Sequence, residues 1–486
     1  EFRRVLFRSL AAGEFPDTGA PYLNQFEMLE DGVTQSISRD TLSANAPNFM
    51  KAMEYYPGGL NVWRAPETTD EYVGMSGIND GSTLGVFYLG IRSDYIANVG
   101  VNLPDYETKK VPIDEDGKVF YYDDPSITLK WLEDLLIKFR DDDPDGNGVN
   151  DTIPYAAYTQ GSPWTTWVWG AIYGALDVPN MTISRNQMVD GKLYAAPVSP
   201  NFKEFIKLAV RWWEAGLLDP EWFTTNRNTH WELSKTGNYG VYSINRGYTG
   251  KQATRTPNTI TANLPEGVEF ILMAPTGPNG HQHSPMYGTS YVRTQIQVME
   301  RSISDAKVDR ILQILDTKFA IVDPTPENID TWMGWRYGKA DVHWEWINEP
   351  YKGGFKIISD VSADYPKIGA FFTAYPNFDP SWYVEWALST NFARFNQEYE
   401  RNQFGDKFFA THRIDAYNET KANDVLERKG EALNTLMSEF FTAALKGDID
   451  VDEAWDDYYQ KWLDYGGEEY MAEVAKMPLW EDVYGN

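Results

Sequence analysis

The chain has 486 residues, and its 71 acidic and 43 basic side chains give a formal net charge of −28. A surface this acidic repels phosphate backbones, so we expect no nucleic-acid partner. There is no cysteine, which excludes disulfide scaffolds, thiol nucleophiles and cysteine-based metal sites. Aromatic residues make up 15% of the chain, with 18 Trp and 30 Tyr, and this heavy use favours a ligand that stacks on rings.

The first nine residues read EFRRVLFRS, and the hexapeptide at residues 4–9 looks like a translated sequencing adapter. The alternative is a natural basic tail or the start of a signal peptide, but residues 10–14 supply neither an apolar stretch nor a small-residue cleavage site. We therefore interpret residues 1–9 as an artifact and expect the native chain to be longer at its N-terminus. A signal peptide or lipid anchor would then have been lost with that truncated part.

From residue 10 onwards, short strand-like runs alternate with amphipathic helices, which predicts an α/β fold. Asp124 and Pro125 suit an N-cap and a first helical position, and they predict a helix that buries Leu129, Leu132, Leu136 and Phe139. A second helix is predicted over 202–215, with Trp213 facing inward and Gly216 ending it. Strands are predicted over 85–91, 240–244 and 268–273.

The rest of the chain is predicted to be mostly helical. One helix begins at Ser304, and another spans 431–446 and ends at Gly447. The last begins near Asp452 and ends at Gly466, and it carries Trp455 and Trp462 on its buried stripe.

The sharpest local motif is an acidic loop over residues 143–151. Its oxygen-bearing residues fit the first half of an EF-hand loop, with a glycine where the sharp turn falls, and the predicted ligands are Asp143, Asp145, Asn147, the carbonyl of Val149, and Asp151. Carboxylates this close repel one another unless a cation binds, so we predict a structural Ca²⁺ site. The alternative is a solvated acidic turn, because Asp, Asn and Gly favour turns in any case. Pro154 replaces the bidentate Glu, so the loop is not a complete EF-hand.

Residues 143–154 resemble a loop in the extracellular solute-binding proteins of ABC importers, in the carbohydrate-binding branch that includes alginate-oligosaccharide binders and many Gram-positive lipoproteins. Thr152 stands where that family usually has Glu, which removes one carboxylate ligand. Further segments agree with the family in the same order: 13–17, 91–104, 190–193, 214–220, 274–280, 305–319, 337–338 and 447–455. The similarity covers nearly all of residues 10–475, and its weight lies in the order of the segments.

The resemblance implies a two-lobe α/β fold of the periplasmic-binding-protein type II class, with a hinge and a helical C-terminal part. It implies one lobe from 10–95 and 290–355, and a second from 96–289 and 356–486. The ligand would be a carbohydrate held in the cleft between the lobes. The closed form would deliver the sugar to a membrane permease, without catalysis by this chain, which we expect to be a monomer on the cell surface or in the periplasm.

Sugar capture needs aromatic faces for C–H surfaces and planar polar groups for hydroxyls. We select rings and polar groups in loops rather than on helix stripes, although surface packing is the alternative for each. Arg246 is the candidate clamp for an anionic sugar. The selected residues are Trp63, Asp80, Trp164, Trp167, Arg246, Tyr248, Trp335 and Trp344.

Other patterns give weaker or competing predictions. Trp213, Trp455 and Trp462 are interpreted as core residues, and His281 with His283 as a solvated turn rather than a metal site, because no third ligand accompanies them. A polysaccharide hydrolase or lyase is the main alternative function, and a surface adhesin that binds glycans is a third. The sequence leaves open which sugar is bound and whether it is neutral or acidic.

Overall fold

The computed structural model divides the described part of the chain into two lobes, each with its own sheet and hydrophobic core. The described residues are 16–19, 25–54, 59–79, 87–112, 117–159, 162–179, 185–234, 237–245, 264–282, 292–323, 325–346, 350–351, 355–359, 361–364, 378–379 and 416–479. Within these ranges, no helix combines the length and apolar character needed to cross a membrane.

The strands are β1 (Thr18–Gly19), β2 (Thr34–Gln35), β3 (Ile37–Ser38), β4 (Glu71–Tyr72), β5 (Met75–Asn79), β6 (Phe87–Arg92), β7 (Val111–Pro112), β8 (Val119–Tyr121), β9 (Ile153–Tyr155), β10 (Asn186–Val189), β11 (Lys192–Ala195), β12 (Tyr239–Asn245), β13 (Phe270–Met273), β14 (Val292–Glu300), β15 (Trp344–Trp346), β16 (Phe355–Ile357) and β17 (Phe378–Asp379).

The helices are α1 (Gln25–Glu30), α2 (Arg39–Asn45), α3 (Pro47–Met53), α4 (Ser93–Asn98), α5 (Tyr106–Lys109), α6 (Leu129–Asp141), α7 (Thr166–Ala175), α8 (Pro200–Glu214), α9 (Arg227–Leu233), α10 (Asp305–Asp316), α11 (Pro326–Tyr337), α12 (Val361–Asp364), α13 (Ala416–Leu445), α14 (Val451–Trp462) and α15 (Glu468–Val474). Short 3₁₀ turns occur at Gly59–Trp63, Ala196–Val198 and Thr317–Val322.

The first lobe is built on a sheet with the strand order β1-β14-β5-β17, and β2 also pairs with β14. Its core joins residues from the early chain, such as Phe49 and Val73, to residues after β14, such as Leu312 and Met333. Asp316 at the end of α10 accepts hydrogen bonds from the backbone N–H groups of Asn48 and Phe49 at the start of α3. Early and late segments therefore form one unit.

The second lobe is built on a six-stranded sheet with the order β7-β8-β13-β6-β12-β9. Strands β8, β9, β12 and β13 run in one direction and β6 runs against them. Much of the aromatic content lies in this core, where Tyr155 stacks on Trp169 with ring centroids 5.6 Å apart and Trp212 lies 5.5 Å from Tyr155. Many of the aromatic residues of the chain therefore serve to pack the core of the second lobe.

In the described ranges, successive elements change lobe three times: between β5 and β6, between β13 and β14, and between β17 and α13. Strand β6 pairs with β12 and β13, and this hydrogen bonding assigns Phe87–Arg92 to the second lobe. Strand β17 pairs with β5 and belongs to the first lobe. These pairings differ from the predicted boundaries, which gave residues up to 95 to the first lobe and residues from 356 to the second.

Several helix boundaries also differ from those predicted. Helix α6 begins at Leu129 because Thr128 caps it, accepting a hydrogen bond from the Trp131 N–H at 3.1 Å. Asp124 instead forms a separate turn by accepting from the N–H of Ser126. Of the two adjacent tryptophans of α8, Trp212 is fully buried and Trp213, which was predicted to face inward, is half-buried. Trp455 and Trp462 are buried, as predicted.

Candidate functional site

The topology determines which edge of each sheet lies toward the other lobe. Strand β5 ends at Asn79 and β6 begins at Phe87, and the residues between them span at most roughly 29 Å when extended. Strand β13 likewise leads into β14. We therefore expect the end of the first sheet where β5 stops to face the end of the second sheet where β6 starts. Strands β12 and β13 run against β6 and so have their carboxyl ends at that same end of the second sheet. Ligands bind at the carboxyl ends of strands in open α/β sheets, so these two sheet ends define the candidate cleft.

Trp167 lies at the cleft edge of the second lobe, in the first turn of α7. Its half-buried ring packs edge-on with Phe87, the first residue of β6, at a centroid distance of 5.3 Å. The guanidinium carbon of Arg227 lies 5.2 Å from the centroid of the Trp167 ring. A cation at this distance is attracted by the quadrupole of an indole. Among the predicted rings, Trp167 thus has a ring contact to β6, the first strand after the crossing.

Local capping brings Arg227 to this position. The Asn226 side chain accepts hydrogen bonds from the N–H groups of Asn228 and Thr229, at 2.9 and 3.1 Å, and so begins α9. The N–H of Thr159, in the segment after β9, donates to the carbonyl of Thr225 at 2.9 Å. The starts of α7 and α9 are therefore held close together at one edge of the sheet.

Trp335 occupies a comparable place in the first lobe. Its ring is half-buried, and its Nε1 donates to Thr317 Oγ1 at 2.8 Å. The Lys318 ammonium lies 5.0 Å from the ring centroid. The 3₁₀ turn that carries Thr317 and Lys318 packs against β17, which pairs with the end of β5 at the cleft edge. Burial lowers the pKa of Lys318 to about 8.

Three predicted rings lie in the cores of their lobes instead. Trp63 is 3% exposed and stacks on Phe26, Trp164 is 5% exposed and packs edge-on against Phe441, and Trp344 is 2% exposed. Their burial gives no support to a sugar-stacking role, because their surfaces already contact protein.

Asp80, Arg246 and Tyr248 lie outside the described residues. Their selection stays a prediction. Sequence reasoning missed Arg227 and Lys318. The cap residue Asn226 was a usable signal for a helix start, but no local signal relates Arg227 to a ring sixty residues earlier.

The acidic loop of residues 143–151 lies at the opposite edge of the second sheet, between α6 and β9. The Asp143 carboxylate accepts from the N–H of Gly148 at 2.8 Å and of Asn147 at 3.2 Å. Asn147 Nδ2 donates to Asp145 and Asp151, both at 3.0 Å. Asn98 at the end of α4 donates to the Pro144 carbonyl at 2.8 Å and attaches the loop to the lobe.

The charges of the loop are unevenly balanced. Partial burial and the neighbouring Asp143 and Asp151 carboxylates raise the pKa of Asp145. Burial acts in the same sense on Asp143, but donation from Gly148, Asp145 and Asn147 outweighs it and lowers the pKa of Asp143. A lowered pKa at Asp143 beside a raised pKa at Asp145 is expected of two neighbouring carboxylates, because they repel each other when both are ionised.

The loop fits a hard cation in donor chemistry but only partly in arrangement. Carboxylate, amide and carbonyl oxygens are the ligands that Ca²⁺ prefers, and the buried hydroxyl of the adjacent Thr152 has no hydrogen-bond partner. Within the described ranges, however, no three His, Asp or Glu side chains are grouped to hold a metal ion, and the Asn147 amide nitrogen lies between Asp145 and Asp151.

His281 lies in a turn, as predicted, but its half-exposed imidazole is not simply solvated. Its Nδ1 contacts the buried carboxylate of Asp177, which also accepts from Asn279 at 2.5 Å. The pair connects the segment after β13 to the end of α7. His283 lies outside the described residues.

No protein-family model matches the chain. Lipoprotein LipO of Bacillus subtilis is 22% identical over 399 residues, which cover 80% of this chain and 68% of LipO. The fructooligosaccharide ABC transporter substrate-binding protein FusA of Streptococcus pneumoniae is 22% identical over 289 residues, which cover 56% of this chain and 45% of FusA. The FusA match therefore spans less than half the length of that relative.

Solved structures match nearly the whole chain. An HMO-binding solute-binding protein associated with an ABC transporter of Bifidobacterium longum infantis has a TM-score of 0.66 at 14% identity, over 99% of this chain and 90% of that chain. An EF-hand mutant of FusA with fructo-nystose gives 0.61 at 15%, over 98% and 90%. The alginate-binding protein AlgQ2 without calcium ion gives 0.58 at 14%, over 100% and 89%. The chain therefore has the fold of ABC-transporter solute-binding proteins, which confirms the predicted fold class.

Proposed function

We infer that this chain, which has the fold of ABC-transporter solute-binding proteins, is the substrate-binding component of an importer and captures an oligosaccharide between its lobes. The observation that carries the proposal is the position of Trp167, a half-buried ring in contact with Phe87 at the point where the chain enters the second lobe. LipO and FusA, and the neighbours above, are described as lipoprotein or transport binding proteins rather than enzymes.

Capture requires no covalent chemistry in this scheme. The indole of Trp167 offers a surface for the C–H face of a pyranose ring. Closure of the lobes then excludes water from the sugar and presents a closed shape to the permease, whose partner subunits hydrolyse ATP. Trp335 is the corresponding ring of the first lobe, and Asp80, Arg246 and Tyr248 remain proposed contacts for hydroxyl or acidic groups.

We also propose that residues 143–151 bind Ca²⁺ in a structural role. Asp143, Asp145, Asn147, the Val149 carbonyl and Asp151 would hold the ion. The ion would neutralise the carboxylates and fix the connection between α6 and β9. Support comes from the oxygen-bearing side chains of the loop. Further support comes from two structural neighbours: FusA, which has been solved as an EF-hand mutant, and AlgQ2, which has been solved without calcium ion. A cell-surface, lipid-anchored, monomeric native protein is proposed by analogy with LipO.

The function is tested by titrating the protein with a panel of neutral and acidic oligosaccharides, monitored by Trp fluorescence and calorimetry. We expect Trp167→Ala to weaken binding by roughly 5- to 150-fold, because stacking of a ligand ring on one aromatic side chain contributes about 1–3 kcal/mol. Trp213→Ala is the matched control, since Trp213 is also half-buried but packs on Trp222 and Phe223.

Two outcomes would identify the alternative functions. Release of shorter oligosaccharides or unsaturated products during the incubation would show a hydrolase or lyase. Binding without any decrease in the radius of gyration in small-angle scattering would favour a rigid glycan-binding adhesin.

A further inference from the structure

The chain has two Asn–Gly pairs, and one of them, Asn147–Gly148, lies in the loop between α6 and β9. In such a pair the side-chain amide lies next to a backbone nitrogen that no Cβ shields, because glycine has none. Gly148 has a φ of +87°, and a Cβ added to it would meet nothing within 4 Å. Asn147 and Gly148 are both exposed, so the pair is open to water and to an attack of the Gly148 nitrogen on the Asn147 side chain.

The Gly148 nitrogen already contacts a proton acceptor. Its N–H donates a hydrogen bond to the Asp143 carboxylate at 2.8 Å. A peptide nitrogen attacks a carbonyl carbon only as its proton is removed, and a base at hydrogen-bond distance is placed to remove it. Asp143 therefore lies at the position that a general base requires.

The Asn147 side chain is folded over the peptide groups that follow it. Its Oδ1 accepts from the N–H of Val149 at 2.7 Å, which closes a turn through the side chain. An attack on Cγ moves negative charge onto this oxygen, and the Val149 N–H is the donor that stabilises the charge. The leaving nitrogen, Nδ2, donates to Asp145 and Asp151, both at 3.0 Å. Nucleophile, proton acceptor and electrophile are therefore brought together by one short loop.

We propose that Asn147 is a site of intramolecular deamidation, at which the Gly148 nitrogen attacks the side-chain amide and converts Asn147 to aspartate and isoaspartate. The new N–Cγ bond forms as the Gly148 nitrogen gives its proton to Asp143. That proton passes to Nδ2, the Cγ–Nδ2 bond breaks, and ammonia leaves behind a cyclic imide. Water then opens the imide at either of its two carbonyl groups. One water is consumed and one ammonia released, without oxidation or reduction.

Either product alters the loop. Aspartate replaces the Nδ2 donor with an oxygen, so its contacts with Asp145 and Asp151 change from hydrogen bonds to repulsion between like charges. Isoaspartate lengthens the backbone by one atom and moves the Gly148 N–H away from Asp143. The connection between α6 and β9 is weakened in both cases. The proposal is independent of sugar capture and concerns the loop without a metal ion.

The second pair, Asn279–Gly280, is an internal control. Asn279 is also exposed, Gly280 has a φ of +81°, and a Cβ added to Gly280 would likewise meet nothing within 4 Å. The Gly280 N–H, however, donates to the carbonyl of Gly277 at 3.0 Å. A neutral carbonyl is a much weaker proton acceptor than a carboxylate. The two pairs therefore differ in the group that would take the proton.

The full chain is incubated at neutral pH with EDTA, and peptide mapping by mass spectrometry follows the two asparagines over time. We expect Asn147 to convert at least about tenfold faster than Asn279, a part of the roughly 10²–10⁴-fold that a positioned base contributes. Asp143→Asn should slow the conversion of Asn147 to a rate close to that of Asn279. Asp134→Asn, which removes an exposed carboxylate of α6 paired with Lys130, should leave both rates unchanged.

A parallel incubation in urea tests the proposal without any variant. Unfolding removes the contact between Gly148 and Asp143, so the two rates should become similar. Equal rates in the folded protein, a rate ratio that persists in urea, or an unchanged Asn147 rate in Asp143→Asn overturns the proposal. Formation of aspartate without isoaspartate overturns it as well, because only the imide opens to both products.

Discussion

Lys318 carries an ammonium group into the core of the first lobe. Burial lowers its pKa to about 8, well below the value of about 10.4 for an unperturbed lysine. Between these two values the unfolded chain binds the proton more readily than the folded chain. The free energy of unfolding contributed at this site therefore rises with pH from about 8 to about 10.4.

We expect Lys318→Met to raise the free energy of unfolding at pH 7 by up to ~3 kcal/mol, because it removes the cost of burying the charge. The gain should shrink as the pH rises towards 10. Urea unfolding at pH 7 and pH 9.5 measures both values. Lys51→Met, which removes a half-exposed lysine paired with Asp323, should show no such pH dependence. A gain for Lys318→Met that stays equal at both pH values contradicts the argument.

The residue scale also shows how far sequence reasoning reached. Trp455 and Trp462 were correctly predicted as core because helical spacing determines the direction of a side chain. Trp63 and Trp344 were selected for the cleft because they lie in turn-rich or irregular stretches, where no periodicity fixes that direction. They pack into the core. Arg227 and Lys318 could not be predicted because their contacts depend on tertiary structure.

At the scale of elements, the end of α7 is held by a close backbone contact. A Cβ atom added at Gly277 would lie 1.5 Å from the Ala175 carbonyl oxygen. The same region contains the contacts of Asp177 with Asn279 and His281. Helix α7 carries Trp167 in its first turn, so this contact fixes the position of a proposed ligand-binding element from its other end.

Gly277→Ala should therefore lower the free energy of unfolding by roughly 1–3 kcal/mol, the usual cost of overpacking. Gly334→Ala is the matched control. Gly334 lies inside α11 and an added Cβ meets nothing within 4 Å, so the substitution should raise stability by about 0.5–1 kcal/mol through helix propensity. Chemical denaturation of both variants checks the opposite signs. A stable Gly277→Ala variant would show that the segment after β13 can move away from α7.

The acidic loop of residues 143–151 gives a second prediction at this scale. Protein treated with EDTA should bind Ca²⁺ in calorimetry, and its melting temperature should rise when Ca²⁺ is added. Saturation at 100 times Kd adds ~2.7 kcal/mol. Asp143→Asn should abolish most of the rise, whereas Asp134→Asn, an exposed residue on α6 paired with Lys130, should not. If the protein shows neither calcium binding nor a thermal shift, the loop is a solvated acidic turn and the calcium proposal is wrong.

Element boundaries were predicted well where a cap or a glycine ends a strong stripe. Helix α8 ends at Glu214, two residues before Gly216, whose φ is positive. Helix α10 begins directly after Ser304. The start of α6 was predicted too early because Asp124 and Pro125 have the residue types of a cap, yet Asp124 forms its own turn. Local chemistry identified the turn but not which of two turns begins the helix.

For the whole molecule, helix α13 links the lobes. It packs mainly in the second-lobe core, while Lys421 near its start contacts Glu30 of the first lobe at 3.3 Å and the helix also packs against the turn Gly59–Trp63. In the closure that we propose, this helix would be one of the connections about which the lobes move. The existence of two lobes could be predicted from the order of the family-like segments along the chain. The residues at which one lobe ends and the other begins could not, because they depend on which strands pair.

We expect a saturating oligosaccharide to decrease the radius of gyration measured by small-angle scattering. At a ligand concentration near the wild-type Kd, the Trp167→Ala variant should show a smaller decrease than the wild type, because its occupancy is lower. Closure of that variant to the same extent would show that Trp167 does not contribute to capture.

The three crossings between the lobes also determine the order in which paired strands leave the ribosome. Met75 of β5 pairs with Gln297 of β14, so at 5–20 residues per second the ribosome needs roughly 10–45 s to supply the partner of β5. All strands of the second sheet lie between Phe87 and Met273 and are complete before then. The second sheet is thus complete first, and until β14 is made β5 lacks that partner and presents an unpaired strand edge, which is a site where other chains can pair.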